Sequence, residues 1–120
     1  MKILLVDDDA FLRDMYATKF KESGDEVMVA ENGAEALNKL EDNQFDVVVM
    51  DMIMPGMTGV DLIKSIKSNP DMDCRCIVLS NQGEEHEISA ARSAGAEGYI
   101  IKAQVIPSEL VKQVRELVIV

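Results

Sequence analysis

Five polar side chains in this sequence share one setting. Asp7 and Asp8 follow the apolar run Ile3-Leu4-Leu5-Val6, and Asp51 follows Val47-Val48-Val49-Met50. Ser80 follows Cys76-Ile77-Val78-Leu79, and Lys102 follows Gly98-Tyr99-Ile100-Ile101. One aspartate after an apolar run means little, because Asp is common in loops and helix caps. Five such groups at matching positions are hard to explain as caps alone. Three neighbouring carboxylates repel, and at least one resists ionising unless a cation is present. A hard ion such as Mg²⁺ suits them: it takes oxygen ligands in octahedral geometry, keeps several waters, and is held by one or two carboxylates plus a phosphate oxygen. Asp8 and Asp51 are expected to ligate directly and Asp7 through water, with a backbone carbonyl from the loop after Asp51 as a further ligand. A carboxylate can attack phosphorus without a separate base. Asp51 is therefore the candidate nucleophile for a phosphoryl group. Lys102 supplies a point charge to the phosphoryl oxygens, Ser80 a hydroxyl, and the backbone N–H of Asn81 a further donor.

These groups must converge on one rim, and the periodicity says how. Strands are expected at Lys2 to Val6, 26–30, 46–50, 76–79 and 98–101. The run over 47–50 lacks any polar break, as in a strand buried on both faces. Helices are expected between and after them. The first spans 10–23 with Asp9 as N-cap and Gly24 as stop. Its apolar stripe is Phe11, Leu12, Met15, Tyr16 and Phe20. The second spans 33–42 behind the Asn32/Glu35 signature. The third runs from Thr58 to about Ser68, capped by Thr58 and Asp61 and broken by Asn69-Pro70-Asp71. The fourth, over 83–94, has only Ile88, Ala91 and Ala94 as an apolar face, so it is expected to be the least firmly packed. Pro107 opens the fifth, where Leu110, Val111, Val114, Leu117 and Val118 face inward. Strict alternation of strand and helix gives five βα units: an α/β, flavodoxin-like (βα)5 doubly wound parallel sheet. In the strand order 2-1-3-4-5 the first and third strands lie side by side at the topological switch point, where such sheets bind their ligands.

Composition narrows the function classes. One hundred and twenty residues fit one domain, residues 1–120, with enough apolar content (48%) for one core. The formal net charge of −10 disfavours nucleic acid and anionic membrane as partners. No apolar run approaches a membrane span, and the N-terminus lacks a signal-peptide cleavage site. Cys74 and Cys76 are too few and too close for a disulfide framework and read as reduced thiols of a cytoplasmic protein. His86, in an acidic helical stretch, reads as a solvated surface residue.

With these residues assembled, the chain resembles the receiver domain of two-component response regulators over essentially its whole length. The resemblance rests on Val6-Asp7-Asp8, on Asp51 followed by Met54-Pro55-Gly56-Met57-Thr58-Gly59, and on Ser80, Tyr99 and Lys102. Receivers are a type example of the 2-1-3-4-5 order, so the resemblance supports that order too. It implies a phosphorelay switch, not an enzyme in its own right, catalysing only its own phosphorylation and dephosphorylation. A histidine kinase or histidine phosphotransfer protein would phosphorylate Asp51. Asp7, Asp8, Asp51 and the carbonyl of Ile53 would hold Mg²⁺. Ser80 would move toward the phosphoryl group and Tyr99 would turn inward behind it. The surface of the fourth helix, fifth strand and fifth helix would then change for an output protein or a fused output domain.

The sequence departs from the family pattern in several places. Ala103 stands where receivers usually carry proline, often after a cis bond; cis costs roughly 3 kcal/mol before a non-proline residue, so a trans or rearranged loop is expected. Ile106 replaces the usual capping threonine of the last helix, and Asn81 replaces a small residue. Ile53 and Gln82 occupy the two positions that tune dephosphorylation in the family, and Ile53 cannot hold an attacking water by hydrogen bonding. Met54 and Met57 are expected to be exposed, whereas Phe11 and Met15 are expected to pack in the core. Three alternatives stand beside the receiver reading. A haloacid-dehalogenase-type phosphatase would place its nucleophile after the first strand with a second Asp two residues on, and position 53 is Ile. A flavin or nucleotide module would need a Gly-rich loop after the first strand. A pseudo-receiver would act only as an interaction module.

Overall fold

The computed structural model describes residues 1–81 and 83–119, the last of these in its backbone alone. Five strands alternate with five helices: β1 (Lys2–Val6), α1 (Ala10–Glu22), β2 (Glu26–Ala30), α2 (Gly33–Asp42), β3 (Val47–Met50), α3 (Gly59–Lys67), β4 (Arg75–Ser80), α4 (Glu85–Ala94), β5 (Gly98–Ile101) and α5 (Pro107–Ile119). All pairings are parallel, in the order β2-β1-β3-β4-β5. The flavodoxin-like arrangement expected from the alternation is the one observed. The expected boundaries hold to within a residue or two; β4 starts one residue earlier and α4 two residues later than the periodicity suggests.

Strand pleat divides the core in two. Leu4, Val6, Val48, Met50, Cys76 and Val78 point to one face, where α2, α3 and α4 bury Ala36, Leu40, Leu62, Ile63, Ile66 and Ala91. Ile3, Leu5, Val47, Val49, Ile77 and Leu79 point to the other, against Tyr16, Ala17 and Phe20 of α1 and Leu110, Val111 and Val114 of α5. β3 is buried at every residue because both faces are covered, which is why its sequence shows no alternation. Cys74 and Cys76 are free and buried, and His86 is exposed. No helix of the described residues is long and apolar enough to cross a membrane.

Caps set the helix starts, and these fix the loops at the C-terminal rim. The Asp9 carboxylate accepts from the Leu12 N–H, and the Asn32 side-chain amide oxygen accepts from the Glu35 N–H. Thr58 and Asp61 form a reciprocal capping box at the start of α3. α4 buries Ala91 alone, in line with its thin apolar face.

Two expectations about side chains fail. Phe11 is 76% exposed and is not part of the core. It lies in the first turn of α1, beyond the C-terminal end of β1, so helical spacing puts it on the apolar stripe with no sheet beneath it. Met54 is buried where exposure was expected. The chain after Asp51 turns back through Gly56, whose φ of +79° lies in the left-handed region, and folds Met54 into the core. Met57 is half-buried, its thioether against Gly33.

Candidate functional site

The sheet ladder itself places the acids. The N–H of Asp7 donates to the Ala30 carbonyl of β2 (3.1 Å), and the N–H of Asp51 donates to the Val6 carbonyl of β1 (3.0 Å). β1 and β3 are adjacent, with Val6 opposite Met50, so the residues that follow them emerge side by side. One carboxylate oxygen from each of Asp7, Asp8 and Asp51 lies within 4.8 Å of the others. Asp7 is buried, Asp51 is half-buried and Asp8 faces solvent.

Lys102 closes the cluster from β5. Its ammonium donates to Asp7 Oδ2 at 3.1 Å and to Asp51 Oδ2 at 3.2 Å. The Lys102, Asp7 and Asp51 side chains are only 7%, 2% and 12% exposed, so these pairs are poorly screened. Burial pushes the Asp51 carboxyl above its ordinary range; Lys102 opposes that shift and Asp7 adds to it. Burial disfavours the Lys102 charge, but Asp51 and Asp7 together outweigh it and hold the ammonium above its usual value. Asp7 is further fixed by the Asp9 N–H, which donates to its Oδ1 at 2.9 Å.

The remaining expected residues fall around this cluster. Ser80 ends β4 and is buried, and Asn81 beside it is exposed. Tyr99 is half-buried in β5, with Ser80 and Glu87 close enough to influence its phenol. Its phenol is pushed up first by burial, with the Ser80 hydroxyl opposing and Glu87 reinforcing. Ile53 is 67% exposed in the loop after Asp51. Gln82 lies outside the described residues. After Lys102 the chain forms a short 3-10 turn (Lys102–Gln104) with trans peptide bonds, the rearranged loop expected from Ala103.

Other residues reach this cluster without having been foreseen. Arg13 of α1 donates from Nη1 to the Asp7 carbonyl at 3.0 Å and lies 3.9 Å from Glu31. Tyr16 is buried close enough to feel the site: burial raises its phenol, Lys102 lowers it, and Asp7 and Asp51 raise it. Gly59 is buried against the Asp51 carbonyl, where an added Cβ would sit 2.7 Å from the oxygen. Only Gly59 had a visible signal, as the residue after the Thr58 cap.

The donor set suits a hard divalent cation: oxygen ligands alone, one of them open to solvent for retained water, with no thiol or imidazole among them. A carboxylate so placed, with an ammonium and a hydroxyl from neighbouring strands, can take up and stabilise a phosphoryl group.

The chain is similar to known proteins in sequence and in fold. Residues 3–115 match the family model described as response regulator receiver domain. The chain is 40% identical over 102 residues to chemotaxis protein CheY of Bacillus subtilis (strain 168), covering 84% of each chain. It is 35% identical over 104 residues to chemotaxis protein CheY-3 of Vibrio cholerae, covering 85% of this chain and 80% of that one. Among solved structures, Vibrio cholerae chemotaxis protein CheY4 superposes with a TM-score of 0.91 at 29% identity, covering 97% of each chain. A CheY-like receiver domain protein from Methanospirillum hungatei gives 0.87 at 30% identity, covering 98% of this chain and 92% of that one.

Proposed function

The chain belongs to the response regulator receiver family, and on that premise we propose that residues 1–120 form one receiver domain whose Asp51 accepts a phosphoryl group. One observation carries this reading: Lys102 bridges Asp7 and Asp51 at 3.1 and 3.2 Å while Asp8 stands within reach of both carboxylates. A purely structural ion pair needs one acid, not three.

Asp51 Oδ attacks the phosphorus of a phosphohistidine on a kinase or phosphotransfer protein, and the imidazole leaves with the bonding pair. Asp7, Asp8, Asp51 and the Ile53 carbonyl are the residues that would hold Mg²⁺. When bound, Mg²⁺ supplies charge neutralisation between carboxylate and phosphoryl oxygens. Lys102 shifts from the Asp51 carboxylate to a phosphoryl oxygen, so its charge is in place before the reaction. Ser80 turns its hydroxyl to a second oxygen, and the Asn81 N–H donates to the phosphoryl group. The withdrawal of Ser80 from Tyr99 lets the ring turn inward and biases the α4–β5–α5 surface. The partners on this reading are proteins: a histidine kinase or phosphotransfer protein upstream and an output protein or fused output domain downstream. The acidic surface argues against direct nucleic-acid binding, and the cytoplasm is the setting proposed. The domain's only chemistry is on itself.

Incubation with a small phosphodonor and Mg²⁺ tests this directly. Intact mass should rise by one phosphoryl group, and Asp51→Asn should abolish the gain. An unchanged mass in the wild-type chain would leave the pseudo-receiver reading in its place.

A further inference from the structure

Arg13 lies near the start of α1, with its side chain only 12% exposed. An arginine there needs no role beyond a surface ion pair, and Glu31 offers one. That pair is weak: the carboxylate stands 3.9 Å away on a side chain that is 68% exposed. The closer contacts of Arg13 go elsewhere. Its backbone N–H donates to the Asp9 carbonyl at 2.9 Å, and its Nη1 donates to the Asp7 carbonyl at 3.0 Å. One residue thus grips the backbone on both sides of Asp8. The guanidinium does so while its Nε stays buried without a hydrogen-bond partner among the described residues. An unpaired buried donor is costly, which marks the Asp7 contact as the one that sets the orientation of the group. The neighbouring carboxylates are engaged: that of Asp7 with Lys102 and the Asp9 N–H, that of Asp9 with the Leu12 N–H. Asp8 faces solvent, so its place beside Asp7 and Asp51 is set by the backbone that carries it.

Resting on the reading of Asp8 as a direct ligand of a divalent cation, we infer that Arg13 is a positioning residue that holds the Asp7–Asp8 peptide and so presents the Asp8 carboxylate to the ion. Its hydrogen bond to Asp7 is charge-assisted and largely out of solvent, both of which strengthen it. Without it the Asp7 carbonyl loses this donor, and the carboxylate of Asp8 searches a wider range of positions before meeting the ion. Groups that support a metal ligand from behind typically change metal affinity by about 10–100-fold. The charge of Arg13 acts in the opposite sense. A guanidinium this near repels an incoming cation, so neutralising it would by itself tighten binding. Positioning and charge therefore predict opposite signs for the same substitution.

Mn²⁺ shares the preference for oxygen ligands, and its effect on water proton relaxation reports binding without any phosphorylation. Arg13→Met, without charge or donor, should bind Mn²⁺ about 10-fold more weakly than the wild type, the lower end of that range. Arg13→Lys keeps a charged donor, and one carbonyl does not need the planar fork, so it should stay within about 3-fold of the wild type. Glu31→Ala should leave the affinity unchanged. In phosphorylation by a small donor, Arg13→Met should need about 10-fold more Mg²⁺ to reach half its maximal rate. Urea unfolding checks that each variant is folded; if Arg13→Met does not fold, Arg13→Gln carries the same expectation. Unchanged or tighter Mn²⁺ binding by the folded neutral variant overturns the inference, and so does a loss that Arg13→Lys shares in full. A wild-type chain that binds neither Mn²⁺ nor Mg²⁺ refutes the metal site itself, which an unaffected variant of a metal-binding chain does not.

Discussion

Replacing Lys102 by methionine keeps the length of the side chain and removes its charge. The ammonium sits 3.1 Å from Asp7 and 3.2 Å from Asp51, and all three side chains are largely out of solvent. At an effective dielectric near 20, each pair is worth about 5 kcal/mol of Coulomb attraction. Taking the ions out of water offsets most of that, so the pairs contribute little net stability. Removing one partner is different. Two carboxylates are then left close together with no cation, and cutting a buried pair in this way costs about 3–5 kcal/mol. Urea unfolding of Lys102→Met at pH 7.5, with divalent ions chelated, should show a loss of that size with an unchanged m-value. The pH dependence has a definite sign. Lys102 lowers the Asp51 pKa, so its removal raises that folded-state value further above the unfolded one. The folded variant then takes up protons that the unfolded chain does not, and its deficit shrinks as pH falls toward 4.5. Millimolar Mg²⁺ should recover more stability in the variant than in the wild type, because it meets uncompensated acids. A deficit below about 0.5 kcal/mol at pH 7.5, the range of ordinary surface substitutions, would refute the bridging role. So would a deficit that stays constant down to pH 4.5.

Asp51→Asn should stabilise the fold at neutral pH, because burial raises the Asp51 pKa and ionisation there opposes folding; the gain should fade as pH falls toward the unfolded value of 3.8, as read by urea titrations across pH. Mg²⁺ at millimolar concentration should raise the Tm of the wild-type chain, and an unmoved Tm would remove the metal site from the scheme. Gly59→Ala should cost about 1–3 kcal/mol, because its Cβ would meet the backbone oxygen of Asp51 at 2.7 Å. It should also slow phosphorylation by a small donor; full rates with intact stability would show that the loop after Asp51 yields freely.

The sheet was legible because its signal is repeated. Five apolar runs, each ending in a polar residue or a turn, leave few alternatives to a parallel sheet with its chemistry at one rim. Asp7, Asp51 and Lys102 come together because strand ends are placed by backbone pairing, which sequence periodicity reports well. Side chains of the loops are another matter. Phe11 carries the right spacing for the core but lies past the end of the strand that would cover it. Met54 precedes a Pro-Gly turn whose direction depends on contacts with α2, well back along the chain. Arg13 left no mark because charged residues on helix faces are common, and only the tertiary fold turns it toward Asp7. The 3-10 turn after Lys102 was foreseen only as a departure from a cis bond, not in its form.

The bridged acids also set a charge balance. Asp7, Asp8 and Asp51 against Lys102 leave the resting pocket with a formal charge of about −2 when all are ionised. A phosphoryl donor is itself an anion, so these charges alone would repel it, within a chain whose net charge is −10. One divalent cation brings the pocket to neutrality. On the proposed mechanism a divalent cation would thus serve the admission of the donor as well as its alignment. With a phosphoryl group on Asp51, as proposed, the pocket would be anionic again. Asp51 is then surrounded by charge that favours either the hold of Lys102 and Ser80 or the departure of the group.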